Sequence, residues 1–103
     1  MDSLFHSFNV LSAEEIEMGI HIKTLSAGNV QLRHLVFEPG TLIPNHRHPE
    51  EVVTMILEGT MEMTVGDETR EMRKGDVFRV PPKTDHSGRV LSEKVVAVSW
   101  SPI

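Results

Sequence analysis

The chain has 103 residues, enough for one domain with a single compact core. Apolar residues make up 39% and charged residues 24%, as in an ordinary water-soluble fold. A net charge of −5 disfavours nucleic acid and anionic membranes, which attract basic surfaces, and the absence of cysteine excludes disulfides, thiolate metal sites and a thiol nucleophile.

Residues 1–6 carry neither a basic leader nor an apolar stretch, and no run reaches bilayer-spanning length, so a cytoplasmic protein is expected. Leu4, Phe5, Phe8, Val10 and Leu11 make the N-terminal segment apolar enough to cross onto a second copy. A homodimer is expected, two-fold pairing being the commonest closed assembly. Residues 1–28 would supply N-terminal strands and the dimer arm. Ser12 followed by Glu15 fits a capping box, which predicts one or two helical turns over residues 12–17, ending near Gly19.

Everything beyond reads as strands separated by turns. Residues 20–25 alternate apolar and polar, with His21 on the polar side and expected at the surface. Residues 30–37 form a second strand closed by Pro39 and Gly40. His34 shares a face there with Val30, Leu32 and Val36. It is either a pocket group or a hydrogen-bonded, partly exposed histidine. Residues 52–57 are a continuous apolar run; Val52, Thr54 and Ile56 share one face, and Glu51, Val53 and Met55 the other. Residues 60–65 pair with 69–73 across Gly66, Asp67 and Glu68. Residues 77–80 end at Pro81-Pro82, and residues 95–100 are the last strand. Trp100 either lines a pocket or joins the core or a dimer face. Regular strand spacing predicts an all-β sandwich or barrel, in one domain over residues 1–103.

The chemistry-bearing residues are histidines. His46 and His48 flank Arg47, and residues at i and i+2 on a strand point to the same face. Imidazole is mostly uncharged near neutral pH and is the commonest protein metal ligand. His86 follows a second block punctuated by Gly75, Pro81 and Pro82. With no thiolate in the chain, such a site would use nitrogen and oxygen donors. The methionines, among them Met55, Met61, Met63 and Met72, are expected as core filler rather than ligands.

These blocks resemble the two motifs of the cupin superfamily. Gly40, His46, His48 and Gly59 match the first; Gly75, Pro81 and His86 match the second. Lys83 stands where the second motif carries glycine, and Val90 where it carries asparagine. The resemblance covers residues 30–100, the barrel core. It implies a small jelly-roll β-barrel and a divalent metal (Fe, Mn, Ni, Cu or Zn) held by His46, His48 and His86. Relatives often place a carboxylate or amide as fourth ligand. Here that position is Val52, with Glu51 one residue earlier. Two completions stand: water or substrate as the remaining ligand, or Glu51 brought inward by a one-residue slip.

The resemblance implies a small-molecule ligand or substrate, met by dioxygenase-type or by sugar- and uronate-type chemistry. Fragments around His46-Arg47-His48-Pro49 and Val80-Pro81-Pro82 look like a group of cupins acting on unsaturated uronates. Val52 and Val98 stand where that group carries a glutamine ligand and a carboxylate, which argues against that particular activity. The alternative is a non-catalytic module that binds or senses a small ligand. The residues identify no general base.

Overall fold

The computed structural model describes residues 4–103. Ten strands follow a short 3-10 turn at Phe8–Val10: β1 (Glu14–Glu17), β2 (Ile20–Ala27), β3 (Val30–Phe37), β4 (Leu42–His46), β5 (Val52–Glu58), β6 (Met61–Val65), β7 (Glu68–Met72), β8 (Val77–Val80), β9 (His86–Val90) and β10 (Val95–Pro102). They form a six-stranded sheet in the order β1-β2-β3-β10-β5-β8 and a four-stranded sheet in the order β4-β9-β6-β7. All the pairings are antiparallel. The fold is an all-β jelly roll, and no helix among the described residues is long and apolar enough to cross a membrane.

Period-2 patterning explains which faces meet. Along β10, Val95, Ala97, Ser99 and Ser101 are buried, while Trp100 between them is 38% exposed. Along β6, Met61 and Met63 are buried. The inward sets join in one core that includes Ile20, Ile22, Phe37, Ile56, Val95 and Ala97. Ile56 has no exposed surface. Burying such a side chain stabilises the fold by about 1.5–3 kcal/mol. Gly59, which closes β5, has φ +86°, and a Cβ there would collide with the Lys94 carbonyl, so neither backbone nor space admits a side chain.

Where a helix is expected over residues 12–17, Glu14–Glu17 form strand β1. Glu14 pairs with Ile22 and Glu15 with His21, with a bulge before Glu17. The reason is the use made of the cap. The Glu15 carboxylate accepts the Gly19 N–H at 3.0 Å, closing the β1–β2 turn instead of reaching back to Ser12. The one helical turn among the described residues lies earlier, where the Ser7 hydroxyl accepts the Asn9 N–H at 3.1 Å.

Lys83 has φ +57°, the only positive value at a non-glycine residue among those described. The second motif's missing glycine is therefore still required by the backbone. The left-handed conformation costs a side-chain-bearing residue on the order of 1 kcal/mol, part of which glycine gives back through its more flexible unfolded chain. Lys83→Gly is expected to raise stability by about 0.5 kcal/mol, read as a higher urea midpoint at unchanged slope. An unchanged or lower midpoint would assign the lysine side chain a stabilising contact that outweighs the strain.

Candidate metal centre

The three histidines reach one place by three different local devices. β4 is an edge strand, which tolerates Pro44 because an edge need not donate every N–H. His46 ends that strand and lies opposite His86 on β9. His48 lies beyond the strand, in the following loop, so its convergence with His46 comes from the loop and not from strand alternation alone. That loop is tied down twice. The His48 carbonyl accepts the Lys83 N–H at 2.8 Å. On the outside, Arg47 donates to Asp85 at 2.9 Å, so the residues next to the histidines clip the two segments together.

One ring nitrogen of each of His46, His48 and His86 lies within 4.8 Å of the other two. The His46 and His86 ring centroids are 4.0 Å apart. The tautomers follow from the partners. Each Nδ1 faces a backbone carbonyl: Pro44 at 2.8 Å for His46, Glu50 at 3.0 Å for His48 and Thr84 at 3.0 Å for His86. A carbonyl oxygen only accepts, so each Nδ1 carries the proton and donates it. Each Nε2 is left with a bare lone pair, the form that ligates a metal, and the carbonyl orients the ring that carries it. Three neutral nitrogen donors with fixed tautomers fit a borderline divalent ion.

His86 is the buried member, 6% exposed. Burial lowers its pKa, and the nearby His46 and His48 act in the same direction; the Thr84 carbonyl and Asp85 oppose them. The folded chain thus resists protonating His86 while the unfolded chain accepts the proton. Metal-free protein should lose stability as pH falls through the free imidazole range near about 6.5, because the unfolded state then binds more protons. Between pH 7.5 and 5.5, the decline in urea midpoint should be smaller in metal-free His86→Gln than in the parent. Equal declines would mean His86 is not the group responsible.

The histidines open onto a cavity of about 370 Å³ between the two sheets. Its walls are mostly apolar, with Ile20, Leu35, Phe37, Met63 and Phe78 among them. Its polar groups are the three histidines, Arg33, Thr54 and Ser99; no aspartate or glutamate lines it among the described residues. Val52 and Thr54 lie on the wall, whereas His34 and Trp100 do not. His34 faces outward and stacks on Phe8 at 5.6 Å, and Trp100 sits on the outer face beside Leu32 and Val53. β3 is the cause: it is apolar on both faces, so alternation could not say which face was inside. Glu51 is 42% exposed at its side chain and pairs with Arg79 at 2.7 Å, outside the histidine cluster. His21, read as a surface residue, pairs with Glu38 at 2.9 Å. Strand alternation does not single out Arg33; the available signal is a charged residue on the same face as Leu35 and Phe37.

The Cupin_2 family model, described as a cupin domain, matches residues 33–101. An uncharacterized protein of Methanocaldococcus jannaschii is 37% identical over 65 residues, covering 60% of this chain and 51% of its own. The H2HPP isomerase of Bacillus subtilis is 27% identical over 86 residues, covering 82% of this chain and 36% of the isomerase. The chain thus spans about half or less of these two relatives. Among solved structures, an RmlC-like cupin from Shewanella frigidimarina superposes with a TM-score of 0.87 at 22% identity, over 99% of this chain and 93% of that one. KdgF from Halomonas sp. gives 0.83 at 23% identity, over 100% and 96%.

Proposed function

The chain belongs to the cupin family, and from that premise we propose that it is a metal-dependent cupin that takes one small oxygen-bearing molecule into its barrel and acts on it. The observation carrying this reading is the set of three Nδ1–carbonyl hydrogen bonds, which leaves the Nε2 lone pair free on each ring of a cluster whose ring nitrogens, one from each histidine, lie within 4.8 Å of one another. His46, His48 and His86 would hold Fe, Mn, Ni, Cu or Zn in its divalent state. Such an ion supplies Lewis-acid polarisation of a ligand oxygen and a template for its orientation. The chain's own residues do the rest. Leu35, Phe37, Met63 and Phe78 exclude water around the ligand, and the Thr54 and Ser99 hydroxyls offer hydrogen bonds to it. Glu51 stays with Arg79, leaving the remaining coordination positions to water and the small molecule.

A second reading, a binding module without turnover, is favoured by one observation: no carboxylate lines the cavity among the described residues to serve as general base. The two readings separate in one experiment. Metal-free protein is reloaded with each divalent ion, and oxygen uptake and product formation are followed with panels of hydroxy acids, diketones and uronates. Turnover by one metal form, absent from the metal-free protein, supports the enzyme. Saturable binding with no turnover on any panel supports the module. Failure to retain any of the ions would reject both metal-based readings.

A further inference from the structure

The chain has six arginines. Five of them pair with a carboxylate: Arg47 with Asp85, Arg70 with Glu68, Arg73 with Glu71, Arg79 with Glu51 and Arg89 with Glu62. Arg33 is the exception among the described residues, and it is the arginine that lines the cavity. In a chain with fifteen acidic residues and ten basic ones, this isolation is conspicuous. Its Nη2 donates to the Gln31 side chain at 2.9 Å, a neutral partner. Its Nε is buried and has no hydrogen-bond partner, the only such side-chain atom found among the described residues. A buried donor left unpaired costs free energy, and a cation without a counter-charge costs more.

The surroundings of Arg33 are polar in a defined way. Across the sheet it lies beside Thr24 on β2 and Ser99 on β10, and Ser99 lies beside Thr54 on β5. The next inward row, Ile22-Leu35-Ala97-Ile56, is wholly apolar. The row beyond, Ser26-Gln31-Ser101, is polar as well, so this end of the inner wall is polar, and its only charge is the Arg33 guanidinium.

The geometry points to Arg33 as the anchor for a carboxylate on the cavity's small molecule, so that the ligand is a small carboxylic acid gripped at one end by Arg33 while another of its oxygens is offered to the three histidines. The guanidinium fork matches a planar carboxylate with paired N–H donors. A carboxylate is favoured over phosphate because the cavity holds one fixed cation and few further donors. The histidine end of this inference rests on the metal-site reading above; the Arg33 end does not, since its charge is present with or without an ion.

The test uses that independence. Nitrogen-15 spectra of the arginine Nε–H region are recorded on the full chain, metal-free and zinc-loaded, with the Arg33 signal assigned through the backbone. Glutarate, its neutral diamide and inorganic phosphate are titrated in. Glutarate is expected to shift the Arg33 signal saturably in both forms, while the diamide leaves it in place. With zinc loaded, 2-hydroxyglutarate should bind about tenfold tighter than 2-hydroxyvalerate, which lacks the distal carboxylate. Arg33→Gln should erase that preference at unchanged zinc content. An Arg33 signal that ignores glutarate, or that answers only to phosphate, overturns the proposal, as does a preference that survives Arg33→Gln. If the variant does not fold, the titration of the parent protein decides alone. If the protein takes up no zinc, the metal reading fails, and the metal-free titration still decides the role of Arg33.

Discussion

Alanine at His46, His48 or His86 is expected to strip the protein of divalent metal, whereas Glu51→Gln leaves metal content near the parent level. The difference lies in the ligand set. A three-nitrogen site that loses one donor keeps two, and water then competes for the ion. Losing an outer partner that only orients a ligand already costs about 10–100-fold in affinity, so losing a ligand itself should cost more than about 100-fold. The Nδ1–carbonyl bonds sharpen the expectation, because the two remaining rings keep their orientation and cannot swing across to compensate. Glu51 has its charge satisfied by Arg79 at 2.7 Å and lies outside the cluster, so its removal changes an exposed ion pair. Such pairs contribute only about 0–1 kcal/mol. Elemental analysis of the purified variants, after equilibration with equimolar metal, reads the outcome. Metal-free Glu51→Gln beside metal-replete histidine variants would reverse the assignment.

Val52→Glu should do the opposite and tighten Mn(II) or Fe(II) binding by at least about tenfold, roughly 1.4 kcal/mol. Val52, on β5 of the six-stranded sheet, lines the same cavity as His46, His48 and His86, so a carboxylate there enters the space that they face. It adds an oxygen donor and a negative charge, which the harder ions of the series favour. The same substitution should destabilise the metal-free protein, since an unpaired carboxylate among apolar groups is costly and its pKa rises. The expected signature is therefore double: a lower melting temperature without metal, and a larger rise on adding Mn(II) than the parent shows. A variant whose melting temperature is indifferent to Mn(II) would place position 52 out of reach of the ion.

The two contrasting expectations at positions 51 and 52 show what strand alternation makes legible. Val52, Thr54 and Ile56 read as one face, and Val52 and Thr54 line the cavity while Ile56 is buried in the core. The rule works there because β5 keeps one register with β8 over residues 52–55 and with β10 over residues 53–56, the irregularity against β10 falling only beyond Ile56. It is ambiguous on β3, where Val30, Leu32 and Val36 share one face with His34, and Leu35 and Phe37 share the other with Gln31 and Arg33. Burial of one face over the other is decided by which sheet lies opposite, a long-range fact absent from the local pattern. His34 therefore reads either as a pocket group or as a partly exposed histidine, the second being what the structure shows, and alternation does not single out Arg33, which lines the cavity. The N-terminal helix failed for a related reason: Ser12 and Glu15 satisfy a capping rule, but Glu15 serves the turn at Gly19 and Ile16 lines the cavity. The histidine blocks were legible because glycine and proline punctuation survives in the sequence. Even the departure at Lys83 was informative, since the backbone there keeps the glycine-like conformation at φ +57°.

The most direct measurement is anomalous scattering from crystals of the protein equilibrated with zinc. One peak is expected about 2.0–2.1 Å from the Nε2 atoms of His46, His48 and His86 together, with Glu51 still paired to Arg79. A peak at the Glu15, His21 and Glu38 group instead, or no peak beside the three Nε2 atoms at full zinc occupancy in solution, would contradict a three-histidine centre.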